Sequence, residues 1–210
     1  MFLKTTLLAT AAIFSGVHAA GDLLRPTVQD HTEAIKDCTA AYPYMEDYGA
    51  TGSGGTLQFC TLPKSDPAHR SVISSLRIYR GEDMAIKGID VLYIDNTYFQ
   101  LGYDGHRSKF KKVWDLPLAS FGNAIRGFSV TGTNGQEGGF PSAMKFWKDD
   151  QSVSCMPGGG EDPCKPGEHG PDRKHIVALS GKFGGNGLEH LIIHYEAAVD
   201  ALQTIHSYAL

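Results

Sequence analysis

From Gly49 onward, apolar and polar positions alternate with period two. In "SSLRIYRG", Leu76 and Ile78 stand against Ser75, Arg77 and Tyr79, and in "IKGIDVLYID", Ile89, Val91 and Tyr93 stand against Asp90, Leu92 and Ile94. Such alternation marks strands with one buried face. Further short runs follow: "TYFQLGY", "AIRGFSVTG", "AMKFWKD", "HIVALSG" and "LEHLIIHYE", each bounded by Gly, Asn, Asp or Pro. The pattern predicts many short antiparallel strands joined by hairpins. The interval from Asp149 to Lys174 has no strand signal and reads as a long loop.

The two ends of the chain read differently. "VQDHTEAIKDCTAAY" offers Asp30 as an N-cap with Glu33 three residues on, so a short helix is predicted around Thr32 to Ala40. Residues 20–48 then form an N-terminal extension to a main domain at 49–196, tied to it through Cys38. The tail, 197–210, returns to helical spacing at Val199, Leu202 and Ile205 and predicts a short terminal helix. Ahead of all this, Lys4, the apolar run "LLATAAIF" and the small residues of "SGVHAAG" have the order of a secretory signal peptide at 1–19, cleaved after Ala19. That apolar run is far short of the roughly 20 residues needed to cross a bilayer, so a secreted, extracellular protein without membrane insertion is expected.

Export changes how the cysteines read. Cys38, Cys60, Cys155 and Cys164 are an even set, and pairing is the default in an oxidising compartment. Of the three pairings, Cys38 with Cys60 and Cys155 with Cys164 is favoured. The second pair closes "CMPGGGEDPC", which has almost no apolar side chains to order it otherwise. A zinc site on these thiolates is the alternative, disfavoured by the compartment and by the absence of CxxC spacing. Composition supports the strand reading, since 25 glycines and 10 prolines suit a turn-rich all-β chain. The formal net charge of -4 removes an electrostatic case for nucleic acid, and the basic cluster His106 to Lys112 reads as a solvated loop.

The stretch "GKFGGNGLEHLIIHYE", Gly181 to Glu196, carries the chemistry. His190 and His194 stand four apart, as two zinc ligands on a helix do, but Leu191 occupies the place of the general-base glutamate. The stretch also alternates as a strand, where residues four apart are about 13 Å apart, too far for one ion. A phosphate cradle fails because the glycines open into a strand rather than a helix, and Glu189 would repel an anion. No G-x-S-x-G elbow occurs for a serine hydrolase. A neutral, hydroxyl-rich ligand fits: glycines expose backbone N–H groups at close range, and a carboxylate accepts from adjacent hydroxyls. The plainer alternative is a tight hairpin with Glu189 solvated.

These residues resemble the jacalin-related lectins. "HIVALSGKFGGNGLEHLIIHYE" is similar to that family's closing hairpin with its G-x-x-x-D turn, and "VISSLRIYRGEDMAIKGIDVLYIDN" to its early hairpin. "LASFGNAIRGFSVTGTN" and "AMKFWKDD" follow in consistent order, so the resemblance spans about Gly49 to Glu196. It implies a β-prism I fold of three four-stranded, Greek-key antiparallel sheets, with short helical extensions at both ends. It also implies a sugar site at one end, built from three turns. The first turn offers Gly52, Gly54 or Gly55; the second, Asn134 and Gln136; the third, Gly185, Asn186, Gly187 and Glu189, with Glu189 at the family's aspartate. Glu189 is one methylene longer than that aspartate, and Asn186 and Gly187 stand where the lectins often place aromatic rings. The resemblance implies glycan partners without catalysis, metal or cofactor, and allows a homo-oligomer. Two alternatives accompany it: a protein-interaction or wall-associated prism that has lost the sugar, and a secreted hydrolase using Glu137 and Glu189.

Overall fold

Among the described residues the chain forms one α-helix and eleven strands: α1 (Ala34–Ala41), β1 (Met45–Gly49), β2 (Leu57–Cys60), β3 (Ile73–Arg80), β4 (Ile86–Tyr93), β5 (Tyr98–Gly102), β6 (Lys112–Pro117), β7 (Ile125–Gly132), β8 (Pro141–Lys148), β9 (Val153–Met156), β10 (Lys174–Gly184) and β11 (Gly187–Ala197). The structure, a computed structural model, describes residues 34–49, 57–62, 71–83, 85–102, 112–118, 123–132, 140–158, 174–185 and 187–197. The expected signal peptide and terminal helix lie outside the described residues.

All pairings are antiparallel, and they group into three sheets. One is ordered β5-β4-β3-β6. A second is β1-β11-β10-β2, and a third is β7-β8-β9, joined to the second only where Lys174 on β10 pairs with Ile125 on β7. These are the three faces of a β-prism. The third face has three strands among the described residues, where four are expected. Period-two alternation explains the closure, because each strand turns its apolar set toward the common axis. Leu76, Ile78, Ile89, Val91 and Leu116 come from the first face, Leu179, Phe183, Leu191 and Ile193 from the second, and Phe128, Met144, Phe146 and Met156 from the third, all in one buried cluster. A polar strut crosses this interior. Tyr93 on β4 is fully buried, shares a 2.6 Å hydrogen bond with the Thr61 hydroxyl, and donates toward the Val177 carbonyl at 3.2 Å. Burial pushes its phenol well above the ordinary value.

Four strands depart from the sequence expectation. β9 lies inside the interval read as a loop, pairs with β8 and buries Ser154 and Met156. Its alternation spans only four residues, too few to register as a pattern. β6 follows the basic cluster directly, and β2 emerges from a glycine-rich stretch. β1 falls within the segment read as an extension, yet it pairs with β11 from Met45↔His194 to Gly49↔His190. α1 packs on the outer face of that sheet, where Cys38 and Tyr42 are buried against Val177 and Ala178.

Candidate functional site

The β10–β11 hairpin is irregular at its tip, and the irregularity places Glu189. Phe183 pairs with Leu188, but the next step pairs Lys182 with His190, so Glu189 is an extra residue on β11. A bulge of this kind re-aims a side chain and resets the alternation behind it. Leu188 and Leu191, three apart, both point into the core as a result, and His190 points outward. The tip itself closes with Gly184 opposite Gly187. Gly187 has φ +118°, and a Cβ there would run into the Ile86 carbonyl, so the tip rests on the start of β4.

Other strand ends gather around the same residue. Gly49 closes β1 with φ +103°, and a Cβ there would lie 2.5 Å from the Glu189 carbonyl oxygen and 3.1 Å from Pro141 Cδ. Pro141 pairs with Gly132 where β7 meets β8, and Leu57 opens β2 opposite Phe183. Gly49, Leu57, Gly132 and Pro141 therefore gather beside the hairpin tip. Gly52, Gly54, Gly55, Asn134, Gln136 and Asn186 all lie outside the described residues.

Glu189 is 7% exposed, a correction to the solvated turn carboxylate of the plainer reading. Its side chain folds over Gly184, where any Cβ would overlap the carboxylate. Oε2 is buried with no hydrogen-bond partner among the described residues. Gly185, next along the tip, has no atom within 4 Å of its Cβ position and is open on that side.

The two histidines sit on the strand as the alternation predicts, each with its own partners. His194 is fully buried: Nδ1 donates to the Tyr42 carbonyl at 3.0 Å, so Nε2 accepts from the Ser180 hydroxyl at 2.8 Å. Burial pushes its pKa below the ordinary value, against the pull of the Tyr42 carbonyl. His190 Nε2 donates to the Asp47 carboxylate on β1, while Nδ1 is buried and unpartnered among the described residues. Cys38 and Cys60 are disulfide-bonded with Cα atoms 5.7 Å apart. Cys155 is disulfide-bonded too; Cys164, its expected partner, lies outside the described residues. The sequence reading missed the outward row of Lys182, His190 and Asp47. Alternation places each on the solvent face, but only the cross-strand register brings them together.

A three-faced antiparallel prism with its hairpins gathered at one end around a carboxylate is the architecture of this chain. It is similar to the solved structure of lamprey immune protein, with a TM-score of 0.50 and 15% identity over 74% of this chain. The chain spans 45% of that longer protein. It is also similar to AcmJRL, a mannose binding jacalin related lectin from Ananas comosus, at a TM-score of 0.45 and 19% identity, covering 73% of this chain and 99% of that one. The mannose binding lectin from champedak compares at a TM-score of 0.47 and 15% identity, over 72% and 94% of the two chains. At these identities the likeness is one of fold. No protein-family model and no curated protein sequence matches the chain.

Proposed function

We propose that the chain is a secreted carbohydrate-binding protein that takes glycan hydroxyls at the end of the prism formed by Gly49, Pro141 and the Gly184–Glu189 hairpin. The observation that supports this reading is Glu189. Its Oε2 is buried without a donor, and an unsatisfied buried acceptor costs about 1–3 kcal/mol. A pair of adjacent sugar hydroxyls would satisfy both carboxylate oxygens, recovering that cost only in the bound state. The carboxylate lies folded on Gly184, beside the open side of Gly185. Gly54, Gly55, Asn134, Gln136, Asn186 and Gly187 would complete the site as donors and backbone contacts. The neighbours named mannose binding, AcmJRL and the champedak lectin, point the same way for ligand class. No helix among the described residues is long and apolar enough to cross a membrane. Secretion is argued from the leader-like N-terminus and from the bridge between Cys38 and Cys60.

A glycan array probed with the oxidised full chain tests this. Retention of defined glycans that is insensitive to chelator supports the reading. No retention across the array would favour the interaction-module alternative, and release of reducing sugar from a polysaccharide would favour the hydrolase.

A further inference from the structure

The outer face of the β1-β11-β10-β2 sheet carries a second polar site, away from the hairpin tip. Gln58, Lys182 and His190 pair directly across three strands, forming one row on the face opposite Phe59, Phe183 and Leu191. Asp47 stands one step along β1, paired with Ile192 and bonded to His190. Helix α1, fixed by the Cys38–Cys60 bridge, supplies a wall through Thr39. Between helix and sheet lies a shallow, open cleft lined by Lys36, Thr39, Asp47, Gln58, Lys182 and His190 among others.

The side chains of Lys182 and Gln58 have no hydrogen-bond or ion-pair partner among the described residues. Asp47 meets only the His190 edge and is 45% exposed. The cleft thus presents the unpaired Lys182 ammonium and the Gln58 amide beside a carboxylate with spare acceptor capacity, with Lys36 of α1 on the helix side. A bare oxyanion such as phosphate would suit Lys182 and be repelled by Asp47. A neutral sugar would suit Asp47 and leave Lys182 unmatched. A ligand with one carboxylate and several hydroxyls matches Lys182, Gln58 and Asp47. We infer that this cleft binds a uronic acid, with its carboxylate on Lys182 and Gln58 and its hydroxyls on Asp47. The site stands independently of whether the hairpin tip takes glycans.

The test is a titration of the oxidised full chain with galacturonate, galactose and inorganic phosphate, followed residue by residue through backbone amide resonances. Galacturonate should saturate, shift Gln58, Lys182 and His190, and bind about tenfold or more tighter than galactose. Lys182→Met should weaken galacturonate about tenfold or more, and Gln58→Leu should weaken it in the same direction. Both variants should retain the parent's near-ultraviolet dichroism and any glycan found on the array. Equal binding of galactose and galacturonate would overturn the inference, as would phosphate binding as tightly as galacturonate. So would unchanged affinity in Gln58→Leu, the arm that decides if Lys182→Met fails to fold. Shifts confined to residues 184–188 would move the uronate to the hairpin tip and overturn it as well.

Discussion

The hairpins β3–β4 and β10–β11 meet at one end of the prism, where the Gly187 backbone rests on Ile86, and each carries a carboxylate at its tip. In β3–β4 the carboxylate is Asp83. One oxygen accepts from the Ala85 amide at 3.2 Å and the other from Lys87 at 2.7 Å, while the Gly81 amide donates to the Ala85 carbonyl. The turn satisfies its own charge, and hydrogen bonding to Lys87 holds the Asp83 carboxyl below its ordinary range. In β10–β11 the carboxylate is Glu189, which no cation meets among the described residues and whose Oε2 has no donor. The two turns, of five residues and two, therefore do different work. One uses its carboxylate to close the chain, and the other keeps a carboxylate oxygen without a donor among the described residues. That difference supports the proposed ligand contact at Glu189 and a structural role for Asp83.

The largest expected effect sets the two hairpins apart by stability. Replacing Cys38 and Cys60 with serine opens a bridge across a sequence separation of 22, worth about 3 kcal/mol in the chain-entropy model. Hydrogen exchange should accelerate in β2 and β10 more than in β3 and β4; uniform acceleration would show that the bridge serves the whole prism. Next is Gly187→Val, which forces a branched residue to φ +118° against the Ile86 carbonyl. Strain alone should remove about 1–3 kcal/mol in a urea titration. Gly185→Ala, two residues away and unobstructed, should change stability by less than about 0.5 kcal/mol.

Smaller effects separate the carboxylates themselves. Asp83→Asn should destabilise by about 0.5–1 kcal/mol, discounted because Asp83 is 55% exposed. Its folded pKa is depressed, so its contribution is present above the ordinary carboxylate value and is lost as pH falls through the lower folded value. An acid titration of Asp83→Asn against the parent should therefore show curves converging only well below pH of about 4. Glu189→Gln should hold or slightly raise stability, because it removes a buried charge that lacks a partner. If Glu189→Gln destabilised more than Asp83→Asn, the contrast between the turns would be reversed.

Much of this arrangement was legible before the structure. The strands β3, β4, β5, β7, β8, β10 and β11 announce themselves as apolar-rich runs of five or more residues bounded by Gly, Asn, Asp or Pro. β1 did not, because an edge strand with Met45 40% exposed and Asp47 facing out lacks an apolar stripe. β9 is too short, and β6 begins with a lysine beside a basic cluster. The pairing of Cys38 with Cys60, favoured among three because Cys155 and Cys164 close a short loop, is present. Glu189 could be singled out from its place at the end of a glycine turn. Its burial could not, because the bulge is a property of register between Lys182 and Phe183 on one strand and Leu188 and His190 on the other. The outer cleft was hidden for the same reason: Gln58, Lys182 and Asp47 are far apart in the chain and meet only through three strand pairings and a disulfide-fixed helix.

The most direct measurement is a calorimetric titration of a glycan retained on the array into the parent protein, Glu189→Gln and Asp83→Asn. Hydrogen bonds to a charged group are worth about 1.5–3 kcal/mol, so Glu189→Gln should bind about tenfold or more weakly. Asp83→Asn should match the parent. Equal affinity for the parent and Glu189→Gln would contradict the account, leaving the carboxylate on the bulge a structural feature and placing the sugar site elsewhere on the prism.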